Sequence, residues 1–453
     1  MMKVYFGGFR FVIVSILGIF VCCLGLAGPD DVNISGASSL KEILDGGKLV
    51  TVVLKGTNAR DVNLKLIEIH DTYLVFESDT ESRVTYTRDQ IAQIIVQSHK
   101  QEKPTIKISP GVTLRTEDRV TVERAWSRLE EIFKSSDSNQ DLKVDCAALL
   151  VCHGSQEAEN YLMQLLDSNE VLTQFVSACA LYLAGKPIPP ALIRTGLEHG
   201  NRTIRIKAAI LSGLVGYRDG IPSLMNMLQD RSGDISGPSA RALAMLGVRD
   251  ITPKLFEFLS SPNEEKAESA VYALVTLDGD DIKEQLKQLL PRFETMATFR
   301  TGKILLYLKE KEGRTILSRL FEDKPTLRPE IALLLAREQD WTSQQYLRER
   351  LNRRENPTDI NLIYRGRALT ALYEGGDPTV LPQYQALLRE SSANVKKEVC
   401  KLIMKLRDKN LLKILPSTIE SKESDVAFEA CRAAVCVTIP DYVDRYKKLN
   451  GEI

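Results

Sequence analysis

Cys152 and His153 pair a potential nucleophile with a potential base, side by side in sequence and followed by Gly154. A thiolate needs an imidazole facing its sulfur. Neighbouring residues on a helix point about 100° apart, so the pair reads instead as a helix C-terminus, where an imidazole suits the dipole. Histidine is scarce, and His70, His99 and His199 are the others. Asp278-Gly279-Asp280-Asp281 has the acidity of a calcium loop without the alternating ligands and distal Glu of the twelve-residue motif, and reads as a turn and helix cap. Gly233 to Pro238 has glycine-rich character but no preceding strand and no Lys to hold a phosphate, and reads as a loop between repeats. Gly-x-Ser-x-Gly, His-Glu-x-x-His, Walker and dinucleotide motifs are missing. The expectation is a chain that is not an enzyme, with no catalytic, cofactor-binding or metal residues and no cofactor.

Six cysteines follow residue 27. Cys146 and Cys179 open similar segments, Cys-Ala-Ala-Leu-Leu and Cys-Ala-Leu-Tyr-Leu, and share a column with Ala242 and Ala273. Cys400 and Cys431 are spaced as equivalent sites on neighbouring helices, about 8–10 Å apart and too distant for a disulfide. Cysteine packs as a small apolar residue, and core packing is the expectation for all six. Charge clusters at Arg348, Arg350, Arg353 and Arg354, and from Lys396 to Lys413, but acidic residues dilute both groups; a solvated helix face is the reading, with docking of an acidic protein or anionic envelope polymer as the alternative. Lys plus Arg equals Asp plus Glu at 60 each, so the composition makes no case for nucleic acid.

The elements that would position these residues differ along the chain. Lys3 and Arg10 precede an apolar run from Phe11 to Leu26, and small residues Gly25 and Ala27 lead into Gly28-Pro29-Asp30-Asp31. This is the order of a secretory signal, so residues 1–27 are expected to be a cleaved signal peptide. Two alternatives stay open: a retained membrane tether through residues 11–26, and lipid attachment at Cys22 or Cys23. Each places the remainder outside the cytoplasm, as a periplasmic, secreted or membrane-anchored protein.

Residues 40–98 have strand character: Leu49 to Leu54, Val62 to Ile69, Tyr73 to Phe76, Arg83 to Thr87 and Ile91 to Val96, with turns between. Short strands at this spacing predict a small all-β barrel. With Gly46-Gly47 opening a first strand and Asp71 leading to the third, the pattern resembles an Sm-like barrel, and an SH3-like barrel would leave much the same trace. The Sm resemblance implies assembly through edge strands. Val75 stands where that family has an Asn, and Ile94-Ile95-Val96-Gln97 lacks its Arg-Gly pair, so the groups that hold RNA bases are missing. Pro104 and Pro110 mark a polar, basic stretch, and residues 99–112 are expected to be a linker.

From residue 113 to 453 the pattern is helical and periodic. Val215, Leu246 and Leu277 are 31 apart, as are Leu224, Leu255 and Leu286, and Asp219, Asp250 and Asp281. Such a period marks stacked helix pairs, each unable to bury its apolar face alone. An A helix ends before a Gly-containing turn, the Asp is expected to cap a B helix, and Pro222 and Pro253 suit its first turn. About ten pairs are expected. The Ala-rich A helices, the Gly-Asp turn and the Pro-x-Leu-x-x-x-Leu B helices at 222–228 and 253–259 resemble short bacterial-type HEAT repeats, also met in phycobilin lyases. The fold class is therefore expected to be mainly α: a HEAT-like solenoid preceded by a small all-β barrel.

The resulting functional expectation is a non-enzymatic scaffold or adaptor of the cell envelope, binding protein partners along the solenoid. B helices are expected to line the concave surface, with Asn226, Gln229, Glu257 and Gln288 as partner-binding residues. The phycobilin-lyase resemblance implies an alternative, an accessory solenoid cradling a chromophore. The barrel implies a third role, oligomeric assembly.

Overall fold

The computed structural model describes residues 33–35, 49–54, 60–69, 73–77, 83–87, 90–96, 114–353 and 357–453. The expected signal peptide, membrane tether and linker, together with Cys22, Cys23 and Asp71, lie outside the described residues. Two compact units divide after residue 105.

In the first unit, β1 (Asn33–Ser35), β2 (Leu49–Leu54), β3 (Arg60–Ile69), β4 (Tyr73–Glu77), β5 (Arg83–Thr87) and β6 (Ile91–Val96) form one sheet in the order β1-β6-β2-β3-β4-β5. β1 runs parallel to β6; the other pairs are antiparallel, with Val50 opposite Val96 and Leu66 opposite Phe76. The ladder of the long β3 is irregular at both ends, between Val50 and Val52 on β2 and between Leu66 and Glu68 on β3 itself. Alternation puts Leu64 and Leu66 into a small core with Val52, Leu74, Phe76, Ile91 and Ile94. The closed barrel of the sequence reading is here a sheet with two edges, since no ladder joins β5 to β6 or β1 among the described residues. The physical reason is β1: lying before the residues expected to form strands, it takes the edge of β6 that β5 would need.

The second unit is helical. A leading helix, α1 (Thr116–Lys134), precedes ten pairs. Even-numbered A helices are α2 (Gln140–His153), α4 (Val171–Leu183), α6 (Arg202–Val215), α8 (Gly233–Met245), α10 (Glu264–Leu277), α12 (Thr295–Tyr307), α14 (Arg328–Arg337), α16 (Asp359–Glu374), α18 (Ala393–Leu406) and α20 (Ser424–Val435). Odd-numbered partners are α3 (Gln156–Leu166), α5 (Pro190–Leu197), α7 (Ile221–Leu228), α9 (Thr252–Leu259), α11 (Asp280–Leu289), α13 (Lys311–Asp323), α15 (Trp341–Asn352), α17 (Leu381–Glu390), α19 (Pro416–Ile419) and α21 (Pro440–Asn450).

One 31-residue column is a burial column, with Leu224, Leu255 and Leu286 each fully buried; in the other apolar column Leu246 and Leu277 are buried but Val215 is exposed. The turn is built differently from the expectation. Gly216 and Gly247 end α6 and α8 with φ of 75° and 76°, a left-handed conformation that glycine adopts without strain. A 3₁₀ turn follows, Arg218–Gly220 or Arg249–Ile251, so Asp219 and Asp250 sit inside that turn and do not cap the B helix. There they still place negative charge near a helix start. Asp281 likewise lies in the first turn of α11. Pro222 and Pro253 occupy the opening turn as expected.

Gly233 to Pro238, read as a loop, is the first half of α8. Its small residues serve close packing: a Cβ at Gly237 would lie 2.6 Å from the Ser269 hydroxyl on α10.

Consecutive A helices pack side by side from α2 to α12 and from α14 to α20, with α13 joining the two runs. Consecutive B helices are farther apart; α17 and α19 are the neighbours that meet appreciably. The layer in closer contact is the inner one, so the A helices line the inside of the curve. The B helices lie outside, which corrects their expected concave placement. The two ends also meet. α1 packs along α20, and Arg124 grips Glu420 through two hydrogen bonds of 2.6 and 2.9 Å. The array is a closed ring, and one apolar core runs from Leu114 to Val443.

Candidate functional site

Several of the sequence candidates have a structural role among the described residues. His153 stacks on Trp126 with ring centroids 4.2 Å apart, which fixes α1 against the end of α2. The Cys152 thiol is pushed up chiefly by burial, with Arg445 nearby opposing the shift. It is the reverse of an activated nucleophile. Burial also pushes up the thiols of Cys146, Cys179, Cys400, Cys431 and Cys436, and all are free. At the acidic turn, Arg249 takes the place a cation would seek. It donates to the carbonyls of Leu277 and Asp278 at 2.8 and 2.6 Å and reaches the Asp281 carboxylate at 3.2 Å.

The two basic groups are largely consumed within the ring. Arg348 pairs with Asp377, and Arg350 lies over the Tyr364 ring at 4.3 Å. Lys397, Lys405 and Arg407 pair with Asp425, Glu452 and Asp444.

Asn226, Gln229, Glu257 and Gln288 are all exposed, on or just beyond α7, α9 and α11. Glu257 is held by Lys254 at 2.7 Å and Gln288 donates to Glu284 at 3.2 Å, both local to their own helix. These side chains form part of an outer row that repeats with the array, not the lining of a groove.

A second constellation, which the sequence reading passed over, lies where the ring closes. Glu429 and Arg432 are buried on α20 and form an ion pair one turn apart. The Arg432 guanidinium sits over the rings of Phe428 at 5.2 Å and Tyr446 at 4.8 Å. Asp145, on the facing helix α2, keeps an exposed surface while protein encloses most of its surroundings, as for a residue lining a recess. Burial pushes its carboxyl up to about 6; Arg432 and Lys401 oppose that shift, while Glu429 and Asp141 add to it. Burial likewise raises Glu429, against the pull of Arg432 and Lys401. A carboxyl tuned this way can exchange a proton near neutral pH or hold a cationic group. The available signal was chemical: Asp145, Glu429 and Arg432 are charges set in Ala- and Cys-rich segments whose other residues are core-like.

α21 completes this region. It leaves the outer row and packs on the inner-layer helices α4 and α6. Tyr442 and Val443 are buried, and Arg445 Nε donates to the Leu183 carbonyl at 2.7 Å, neutralising the carbonyl end of α4. The inner face expected to be free is thus partly occupied by the chain itself.

No family model and no curated protein matches the chain. Among solved structures it is similar to the complex of CpcE and CpcF of phycocyanin lyase from Nostoc sp. PCC7120, at 17% identity over 51% of this chain and 94% of that one, with a TM-score of 0.34. Escherichia coli YibA is 17% identical over 62% of this chain and 99% of that one, with a TM-score of 0.31. Human deoxyhypusine hydroxylase in complex with glycerol is 16% identical over 63% and 97%, with a TM-score of 0.26. Likeness at this level concerns fold alone, and the classification rests on the helix pairs themselves: the chain is mainly α, a HEAT-like helical solenoid.

Proposed function

We propose that this chain is a non-enzymatic protein-binding scaffold that works outside the cytoplasm. The observation that carries the reading is the outer row: a closed frame presents Asn226, Glu257 and Gln288 to solvent at 31-residue spacing, with Gln229 three residues past the first. Exposed side chains on a preformed surface bind without a large ordering cost. The apolar N-terminal run supports export. Residues 40–98 supply a second module, an open sheet whose strand edges are our proposed route to assembly. The chromophore-cradling alternative would need the inner face that α21 covers; a visible absorption band on the purified chain would favour it.

The test is a pull-down from envelope extract with the mature chain, beside a variant carrying Asn226→Ala, Gln229→Ala, Glu257→Ala and Gln288→Ala. Exposed substitutions of this kind change stability by about 0.5 kcal/mol or less each. We expect a specific partner to be lost with the melting temperature nearly unchanged. Equal capture by both chains would remove the outer row from the proposal.

A further inference from the structure

α21 is the odd member of the array. Every other B helix lies outside the A layer, whereas this one lies across its inside, against α4 and α6. Residues from widely separated parts of the chain converge on it. Arg445 donates to Leu183 and fills the space above Gly185, where an added Cβ would lie 3.2 Å from the guanidinium. Arg407 donates to the Pro440 carbonyl at 3.3 Å and pairs with Asp444. Lys405 holds Glu452 at 2.7 Å. Gly451, at φ 66°, leaves room for Arg241, which a Cβ there would strike.

The grip mixes ion pairs with a short apolar strip. α21 buries Tyr442 and Val443 and packs Tyr446 and Leu449 partly buried against the core, fewer apolar groups than α20, which buries every residue from Val426 to Val435. Lys447 is a poorly placed cation, its charge disfavoured by burial and by the neighbouring Arg407. An element with few buried apolar groups and many ion pairs belongs to the low end of local stability. Ion pairs at partly exposed positions also weaken with salt.

We infer that α21 is a strap that undocks as a unit while the ring stays folded. The face it uncovers on α4 and α6 accepts an amphipathic helix of the same chemistry, an aromatic residue with an arginine three positions on. In the closed state the strap occupies that face in cis and excludes a partner's helix. This surface is distinct from the outer row, so either can fail without the other.

Hydrogen exchange on the full-length chain tests the undocking directly. The amides of 441–450 should exchange about tenfold or more faster than those of α20. Raised salt and Arg445→Ala should each speed them further, with α20 unchanged. A labelled peptide of residues 440–453 should then bind the full-length chain carrying Tyr442→Ala and Arg445→Ala, and bind the wild type far more weakly. Exchange of α21 in step with α20 would overturn the inference, because the helix would then be a keystone. So would a doubly substituted chain that keeps its helicity and leaves the peptide free, or one that loses its fold altogether.

Discussion

Asp145 shows how one side chain can make the ring sensitive to pH. Its carboxyl is pushed up to about 6 from an ordinary value of 3.8, chiefly by burial. The folded state therefore holds the proton more tightly than the unfolded chain does. That preference supports folding below about pH 4 and is lost as pH rises through about 6. Asp145→Asn keeps the shape and removes the ionisation. The variant should melt above the wild type at pH 7–8, and the gap should close towards pH 4. Because solvent reaches part of Asp145, the gain should be on the order of 1 kcal/mol, well below the full value of the shift. A thermal melt series across pH measures it, and an equal effect at every pH would contradict the assignment. The residue was legible as an anomaly, one acid between Val144 and Cys146, but its meaning was not. The charges that tune it, on Glu429 and Arg432, lie almost 300 positions away in the chain.

The helix pairs were legible in detail because each is specified by nearby residues. The period of 31 located the buried leucine column, and Pro222 and Pro253 located two B-helix starts. Errors came where local signals are ambiguous. Gly233 to Pro238 has loop composition, yet its glycines answer to close helix contact, a demand set by α10. β1, three residues long and polar around it, is specified by its parallel pairing with β6. The same tight packing yields a prediction at Gly213 on α6. A Cβ there would lie 2.6 Å from the backbone of Ala242 on α8, a contact that only a shift of the helices can relieve. Alanine is ordinarily the better helix former by roughly 0.5–1 kcal/mol. Gly213→Ala should nonetheless destabilise the fold by about 1–3 kcal/mol, as overpacking does, read by chemical denaturation. A stabilised variant would mean that α6 and α8 are not in such close contact.

At the scale of the whole molecule, the even balance of charge acquires a structural use. Acids and bases pair between successive repeats, as in Arg249 with Asp281, Lys303 with Glu268, Arg367 with Glu330 and Lys397 with Asp425. Each pair is worth little alone, so these contacts tune register more than they supply stability. Closure was the feature furthest from view in the sequence. Periodicity describes a repeat and its neighbour, and it is silent on whether the first and last units meet. An open spiral and a ring share one pattern. They differ in the match of α1 to α20 and in the Arg124–Glu420 pair, 296 positions apart. Closure also bears on the proposed function, because the row proposed to bind a partner then faces outward and the inner face is left to α21. The direct test is a photo-crosslinking amino acid placed at Arg124 in the full-length chain, with the product mapped by mass spectrometry at low protein concentration. A ring predicts an intrachain crosslink to the segment around Glu420 and Ser421. Crosslinks confined to sequence neighbours such as Glu131, or formed only between chains, would contradict it.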